Sequence, residues 1–324
     1  MTRKIVALAG GVGGAKLALG LAHVVPAEDF TVVVNTADDF EHLGLHVSPD
    51  LDTVMYTLAG IANPETGWGQ RDETWEFMAA MDRLGGAAWF RLGDRDLATH
   101  IERSRRLAQG ETLSKVTRDL SRALGVAPLL VPMSDDPVRT IVDSDEGRLG
   151  FQDYFVRRRC VPRARGISFD GAETARASTA ALAALADPAL AAVLICPSNP
   201  YVSVDPILAI AGLRAALQQR QVPLVAVSPI VGGQAIKGPA AKMMTELGAD
   251  PSALGIARHY SGLIDALVID TADADLAPAI AAHGLAVHVT DTVMLDVAAK
   301  RRVAVETLGF AARLRDTRPE FPSP

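Results

Sequence analysis

The chain has 324 residues, of which 49% are hydrophobic and 22% are charged; this supplies a large buried core and excludes a disordered chain. Its formal net charge is −6 and its basic residues form no continuous face, which excludes duplex nucleic acid as the expected partner. The two cysteines, Cys160 and Cys196, belong to no paired-cysteine motif, so they predict neither disulfides nor a thiolate zinc site and indicate a reducing, cytoplasmic location. No apolar run is long enough to suggest a membrane partner.

Apolar runs alternate with helical patterns at both ends of the chain. The first three elements are a predicted strand at Ile5–Ala9, a helix at Ala15–Val25 and a strand at Phe30–Asn35. Later strands are predicted at Ala192–Cys196, Leu224–Ser228, Ala266–Ile269 and Ala286–Thr290. Unalternated runs of Val, Ile and Leu are typical of parallel strands covered on both faces. The sequence therefore predicts an α/β protein with a Rossmann-like, mostly parallel sheet and helices on both faces.

The pattern changes in the middle of the chain. Polar amphipathic helices are predicted at Asp72–Leu84, Leu97–Gln109 and Leu113–Leu124, followed by a hairpin around Asp145, Glu146 and Gly147. We expect residues 1–52 and 166–312 to form an α/β nucleotide-binding core, residues 53–165 to form a mainly helical insertion, and residues 313–324 to form a loose tail.

A glycine-rich loop separates the first strand from the first helix. It comprises Gly10, Gly11, Val12, Gly13, Gly14, Ala15 and Lys16. Such a loop lets backbone amides and a helix N-terminus approach an anion, although a tight turn with close packing is the alternative. It matches neither a Walker A loop nor the dinucleotide GxGxxG pattern, because Ala15 and Leu17 flank the lysine and Lys16 stands where the last glycine would be. A nicotinamide dehydrogenase is therefore disfavoured.

Acidic and small polar residues follow the second strand. The candidate binding residues are Asn35, Thr36, Asp38, Asp39, Asp50, Asp52 and Thr53. They would lie at the carboxyl edge of the sheet, where parallel α/β proteins bind ligands. Carboxylates close to a phosphate site repel one another, so a divalent cation, Mg²⁺ by default, is expected between them. As alternatives, Asp50 or Asp52 caps the helix that starts near Thr53, or Asp39 is simply solvated.

Three further loops carry candidate residues. The first contributes Asp94, Arg95 and His100. As an alternative, the charged side chains of an Asp-Arg-Asp group commonly form ion pairs with one another at the start of a helix. The second follows the strand ending at Cys196 and contributes Ser198 and Asn199, and the third follows the next strand and contributes Ser228, Gly232, Gly233, Lys237 and Gly238. The last two follow strand carboxyl ends, so we expect them to meet the first two loops in one crevice.

Taken together, the loops resemble a known family. The segments GGVGGAKL, VVNTADD, SPDLDTVMYTLAG, LGDRDLATH, GFQDYFV, ICPSNP, VSPIVGGQAIKGPAAKMM and ARHYSGLIDALVID, in this order, are similar to those of the 2-phospho-L-lactate transferase family of deazaflavin coenzyme F-420 biosynthesis. The resemblance extends from Ile5 to about Phe310. Many relatives have a shorter segment between the NTxDD and SPD pieces, so Glu41 and His42 are given no role.

The resemblance implies a magnesium-dependent transfer. A phospho-carboxylic acid unit would move from a guanosine diphosphate ester to the ribityl hydroxyl of the deazaflavin Fo, with release of GMP; family donors carry lactyl, enolpyruvyl or glyceryl groups. It implies metal-associated, catalytic roles for Asp38 and Asp50, positions near Fo for Asp50 and Arg95, and a guanosine diphosphate site at Gly10–Gly14, Ser198–Asn199 and Gly232–Pro239. The insertion would form part of the acceptor site, and a homodimer is expected.

A second interpretation belongs to another functional class. Gluconeogenesis-factor-like proteins share a glycine loop and an NTxDD segment and are nucleotide-sugar-binding regulators without transferase activity. The segments LGDRDLATH and GFQDYFV favour the enzyme over the regulator.

Overall fold

The computed structural model describes residues 3–236 and 238–317. The strands are β1 Lys4–Ala9, β2 Phe30–Val34, β3 Phe40–His42, β4 Leu45–Val47, β5 Leu129–Pro132, β6 Arg139–Ser144, β7 Gly147–Gly150, β8 Ala164–Asp170, β9 Leu190–Ile195, β10 Leu224–Val227, β11 Ile230–Val231, β12 Gln234–Ala235, β13 Ala266–Asp270 and β14 Ala286–Thr290. The helices are α1 Gly11–Ala22, α2 Pro49–Leu58, α3 Glu76–Arg83, α4 Asp94–Ala108, α5 Leu113–Ala123, α6 Thr179–Leu185, α7 Asp205–Ala209, α8 Ala211–Gln219, α9 Ala240–Glu246, α10 Ala253–His259, α11 Ala277–Ala281 and α12 Val297–Thr317.

A seven-stranded parallel sheet forms the centre of the molecule, in the order β14-β13-β10-β9-β1-β2-β5. Strand β1 lies near the middle, with Val6 paired to Thr31 of β2 on one side and to Val193 of β9 on the other. Every predicted strand of the core is present in this sheet, and the predicted α/β class with a parallel sheet is confirmed.

The sheet is buried on both faces. Along β1, Val6 and Leu8 belong to one hydrophobic cluster, which includes residues of α6, α8 and α10. The alternate residues Ile5, Ala7 and Ala9 belong to a second cluster, which includes residues of α1, α2 and α12. Because side chains alternate along a strand, these clusters are the two sides of the sheet, and helices cover both.

The expected helical insertion differs from the observed arrangement at one strand. β5 lies between residues 53 and 165, yet it pairs in parallel with β2, with Thr31 opposite Leu129 and Val34 opposite Pro132. The sequence did not reveal this strand because LLVP is only four residues long and ends in proline, too short for a periodic signal. The chain thus returns to the central sheet midway through the segment expected to lie outside it.

The same segment also contains antiparallel structure. Strands β7, β6 and β8 form a three-stranded sheet, and the β6–β7 hairpin turns at Asp145 and Glu146, where a hairpin was predicted. Strand β8 begins at Ala164 and crosses the expected boundary at residue 165. Residues 53–165 are therefore a mixture of helices, a core strand and a small sheet.

Helix α12 extends into the segment that was expected to be a loose tail. It runs to Thr317, so residues 313–317 are helical and do not belong to a loose tail, while residues 318–324 lie outside the described residues. Phe310 and Ala311 are buried in the core and Leu314 packs against it, which explains why the helix continues.

No single helix within the described residues has the length and apolar composition to span a membrane. One pair of helices, Pro200–Ala209 and Ala211–Gln219, meets these criteria jointly, but it is bent by 88°. Ile207 and Leu213, one from each half, are fully buried inside the protein.

Candidate active site

A cavity of about 580 Å³ opens at the carboxyl edge of the central sheet. It is lined by loops that follow β1, β2, β9, β10 and β14, and by residues of α2 and α4. The predicted site residues that line it are Gly10, Gly11, Gly13, Lys16, Asp38, Asp50, Asp52, Thr53, His100, Ser198, Asn199, Ser228 and Gly238. The remaining predicted residues lie elsewhere and are described below, except Lys237, which is outside the described residues.

The glycine loop packs tightly against the loop that follows β9. The Ser198 hydroxyl accepts a hydrogen bond from the Gly10 amide (3.0 Å) and donates one to the Gly10 carbonyl (2.8 Å). A Cβ atom at Gly13 would lie 2.1 Å from the Pro197 carbonyl oxygen, and one at Gly14 would lie 2.5 Å from the Ser198 hydroxyl. Both glycines are thus required for packing; Gly13 also lines the cavity, whereas Gly14 does not.

Helix α1 starts directly at the cavity. Gly10 precedes it in an extended conformation, and its first turn contains neither an acidic residue nor a side-chain cap. Its first amides therefore lie at the cavity, and the Gly11 amide donates to Asp50 Oδ1 at 2.8 Å. The N-terminus of such a helix attracts a phosphate group.

Asp50 connects three parts of the chain. It lies in the first turn of α2, and its Oδ2 atom accepts a hydrogen bond of 2.9 Å from Asn35 Nδ2, while Oδ1 binds the glycine loop. The same Asn35 amide donates to the Val202 carbonyl (3.1 Å). Burial raises the pKa of Asp50 to about 6, although both hydrogen bonds oppose the shift. Asn35 does not line the cavity; it holds the carboxylate that does.

Asp38 is the second buried carboxylate of the cavity. It is 5% exposed, and its Oδ1 atom has no hydrogen-bond partner among the described residues. Burial, and then the negative charge of Asp50, raise the pKa of Asp38 well above its usual value. Two carboxylates that disfavour each other's charge, one of them with an unpaired oxygen, have the chemistry of a site for a hard cation.

The neighbouring polar residues lie behind this pair. Asp39 Oδ2 accepts a hydrogen bond from the Ser48 hydroxyl (2.8 Å) and lies 3.0 Å from His46 Nε2. Thr36 is also buried, and neither Asp39 nor Thr36 lines the cavity. Neither predicted residue therefore lies at the ligand space, and Asp39 holds the neighbouring Ser48 and His46 side chains.

A charged network of α2 and α4 forms another wall. Its members are Asp52, Tyr56, Asp96, His100 and Arg103, and all except Arg103 line the cavity. The Arg103 guanidinium binds both oxygens of Asp52, and the Tyr56 hydroxyl donates to Asp96 Oδ1 at 2.6 Å. Burial opposes the charge of Asp96, but the hydrogen bond and charge of His100 together with the Tyr56 hydroxyl hold its pKa below the usual value.

The carboxylates of this network already have protein partners, so they are not a free set of metal ligands. One ligand atom each from Asp52, Asp96 and His100 lies within 4.8 Å of the other two. However, Arg103 already compensates Asp52, and the Asp52 carboxylate raises the pKa of Arg103 despite its burial. The predicted site residues included Asp52 and His100. Asp96 was considered only as part of the Asp-Arg-Asp group, and Tyr56 and Arg103 were not predicted; the helical spacing of residues 96, 100 and 103 was the available signal.

Asp94 and Arg95 lie outside the cavity. The Asp94 carboxylate accepts hydrogen bonds from the amides of Glu76 (3.0 Å) and Phe77 (3.1 Å) and so caps helix α3. Arg95 is exposed, and its Nη1 atom donates to the Arg71 carbonyl at 3.2 Å. Helix α4 starts at Asp94, and two of its residues, Asp96 and His100, line the cavity. They are about one helical turn apart and so share one face of the helix.

The segment after β10 forms a small hairpin of β11 and β12. Gly232 and Gly233 occupy its turn with φ values of 56° and 76°, which glycine adopts without strain. The Gly232 amide is held by the Asp273 carboxylate at 3.1 Å. These two glycines do not line the cavity, whereas Gly238 does.

One wall of the cavity is apolar and contains aromatic residues. Phe151 and Phe155 stack with an interplanar angle of 4° and ring centroids 5.4 Å apart. Phe155 and Trp68 are 38% and 46% exposed, and both line the cavity together with Phe90. These aromatic residues were not among the predicted site residues, although Phe151 and Phe155 fall in the GFQDYFV segment. Exposed rings beside a cavity suit a flat ligand.

Comparison with known proteins shows the family to which the chain belongs. The pattern of the family described as 2-phospho-L-lactate transferase CofD matches residues 5–308. A phosphoenolpyruvate transferase of Kitasatospora aureofaciens is 43% identical over 319 residues, covering 96% of this chain and 99% of the relative. A 2-phospho-L-lactate transferase of Methanococcoides burtonii is 37% identical over 310 residues, covering 96% and 100%.

A solved structure shares the fold at low sequence identity. The crystal structure of protein BH3568 from Bacillus halodurans superposes with a TM-score of 0.62 at 13% identity, covering 95% of this chain and 100% of that one. This likeness concerns the fold alone. The match over nearly the whole length and the identities above establish that the chain belongs to the 2-phospho-L-lactate transferase CofD family.

Proposed function

We propose that this protein transfers a phosphoenolpyruvyl unit from a guanosine diphosphate ester to the ribityl hydroxyl of the deazaflavin Fo and releases GMP. One observation carries the proposal: a single cavity combines a helix N-terminus with a glycine loop, two buried carboxylates, and a wall of exposed aromatic rings. The first suits a diphosphate, the second a divalent cation, and the third a planar tricyclic ring. The choice of the enolpyruvyl donor follows the name of the Kitasatospora relative.

Mg²⁺ is the expected cofactor, with Asp38 and Asp50 as its protein ligands. The unpaired Oδ1 atom of Asp38 and the raised pKa values of both carboxyl groups fit this assignment, because a divalent cation would relieve their mutual repulsion. When bound, the ion would neutralise negative charge on the transferring phosphate.

The protein's own groups would act by positioning. In the reaction, the acceptor hydroxyl oxygen forms a bond to the phosphorus that carries the acid, and the bond from that phosphorus to the bridging oxygen breaks, so GMP leaves with the electron pair. The amides at the start of α1 would hold the diphosphate, and Asn35 would keep Asp50 in place. The hydroxyl proton would pass to a carboxylate of this cluster, Asp50 or a neighbour.

The activity can be tested by mass spectrometry. Purified protein is incubated with Fo, Mg²⁺ and the lactyl, enolpyruvyl or glyceryl guanosine diphosphate ester in separate reactions. We expect GMP and the adduct of Fo with phosphoenolpyruvate from the enolpyruvyl donor. Asp50→Asn should abolish turnover with the fold intact, whereas Asp170→Asn, which alters an exposed carboxylate on β8, should retain it. An absence of adduct with every donor contradicts the proposal.

Thermal unfolding distinguishes the enzyme from the nucleotide-sugar-binding alternative. A ligand that binds only the native state raises the Tm by mass action, by about 2.7 kcal/mol of stability at a hundred times its Kd. We expect Fo to raise the Tm and a UDP-sugar to leave it unchanged. We also expect Mg²⁺ to raise the Tm of the wild-type protein but not of Asp38→Asn. Stabilisation by the UDP-sugar alone would favour the regulator.

A further inference from the structure

Arg103 lies behind the cavity wall and organises two of its polar residues. Its side chain is 1% exposed, on α4, and it does not line the cavity. Its two terminal nitrogens bind the two oxygens of Asp52, and Nη1 also lies 3.4 Å from Nδ1 of His100. A buried guanidinium thus touches both an aspartate and a histidine that face the ligand space.

These contacts determine which nitrogen of His100 carries the proton. A guanidinium has only hydrogen-bond donors, so Nδ1 of His100 can meet Arg103 only as an acceptor. In the neutral imidazole the proton is then on Nε2. Nε2 is buried and lies 3.1 Å from Asp96 Oδ2, so its N–H faces that carboxylate.

Asp96 supplies an acceptor at the cavity wall. Its Oδ1 atom accepts a hydrogen bond from the Tyr56 hydroxyl, and its Oδ2 atom faces the Nε2–H group of His100. A carboxylate oxygen has two lone pairs, so Oδ2 can also accept a hydrogen bond from an alcohol in the cavity that Asp96 lines. Asp52 does not compete for that alcohol's proton, since Arg103 holds both of its oxygens.

We propose that Arg103 is a positioning residue for the acceptor: by fixing His100 as the Nε2–H donor that faces Asp96, it orients the carboxylate that accepts a hydrogen bond from a hydroxyl of the bound polyol chain. The identity of the acceptor rests on the proposed function, whereas the state of His100 does not. Arg106 provides a matched control. It lies one turn further along α4, is also buried, and pairs with Glu111 (2.6 Å) and Asp119 (2.5 Å) away from the cavity.

Two measurements test this role. Long-range ¹H–¹⁵N NMR of the histidine side chains, with His100→Gln to assign the signal, should show the Nε2–H tautomer in the wild-type protein and a mixture in Arg103→Met. Steady-state kinetics should show that Arg103→Met raises the KM for Fo by about ten-fold or more while the KM for the donor stays within about two-fold. Arg106→Met should lower the Tm and change neither KM.

Several outcomes would overturn the proposal. An Nδ1–H tautomer in the wild-type protein contradicts it even if Arg103→Met fails to fold, because this measurement needs no variant of Arg103. Equal effects of Arg103→Met and Arg106→Met on the KM for Fo would show that Arg103 only stabilises the fold. A wild-type protein that neither binds nor uses Fo would refute the proposed function instead, and the NMR result would still stand.

Discussion

The Oδ1 atom of Asp50 accepts a hydrogen bond of 2.8 Å from the backbone amide of Gly11, joining the first turn of α2 to the first residue of α1. A Cβ atom at the preceding Gly10 would lie 2.5 Å from the other oxygen of the same carboxylate. The glycine loop and the acidic cluster are therefore one packed unit. A change in either should alter the geometry of both.

Asn35 lies outside the cavity, and we expect it to fix the position of the Asp50 carboxylate. In Asn35→Asp the two N–H donors to Asp50 and Val202 are lost and a second negative charge is placed beside Asp50. We expect a loss of about 3 kcal/mol or more in the free energy of unfolding, because an uncompensated buried charge costs about that much. Transfer activity should fall by about a hundred-fold or more, since misplacement of a reacting group is that costly.

Urea unfolding and product assays measure these effects. The control is Asn63→Asp, in a partly exposed turn where the side-chain oxygen, kept in the variant, accepts a hydrogen bond from the Glu65 amide. Unchanged activity in Asn35→Asp would remove Asn35 from the site.

Gly13→Ala should disturb the diphosphate end of the cavity. The new methyl group would lie 2.1 Å from the Pro197 carbonyl oxygen, so one of the two loops must move. We expect a loss of about 1–3 kcal/mol in stability, as for other overpacked positions, together with a higher KM for the donor. Gly150→Ala is the control, because a Cβ atom there meets nothing within 4 Å. Wild-type kinetics in Gly13→Ala would show that the loop does not bind the donor.

His42 should make stability depend on pH. It is 4% exposed, its ring lies 5.1 Å from that of Trp89, and burial lowers its pKa below the usual value of about 6.5. The folded protein therefore binds fewer protons than the unfolded chain just below that pH, so stability is lost as the pH falls from about 6.5 through the folded-state pKa. Above about 6.5 this contribution is fully present.

His42→Phe removes this proton uptake and keeps an aromatic ring against Trp89 and Phe90. The decrease in Tm between pH 7.5 and pH 5.5 should be smaller in the variant than in the wild-type protein. An identical decrease in both would mean that another group causes the acid sensitivity.

The aromatic wall should affect the acceptor and not the donor. Phe155→Ala removes one of two stacked rings, and Trp68→Ala removes a half-exposed indole at the cavity. Each should raise the KM for Fo by about ten-fold, the effect expected from losing one aromatic contact with a flat ring. Leu84→Ala, at an 82% exposed position outside the cavity, is the control. A rise in the KM for the donor alone would place the guanine at this wall instead.

The sequence by itself determined the class of the sheet and the edge at which the loops meet. Unbroken runs such as Ile5–Ala9 and Leu224–Val227 can be buried on both faces only in a covered parallel sheet, and parallel strands present all their carboxyl ends at one edge. The glycines and acidic residues after these strands were visible for the same reason: their types and their place after a strand are local properties.

The tertiary structure decided which side chains share the cavity. Asp52 and Arg103 are 51 positions apart, and their pairing depends on how α4 packs beside α2, which no local pattern encodes. The rotation of α4 likewise turns Asp96 and His100 inward and leaves Asp94 and Arg95 outside, although all four stand in one charged segment. The local sequence determines that a helix forms and which residues share one of its faces. Which face turns toward the cavity depends on apolar packing with distant segments.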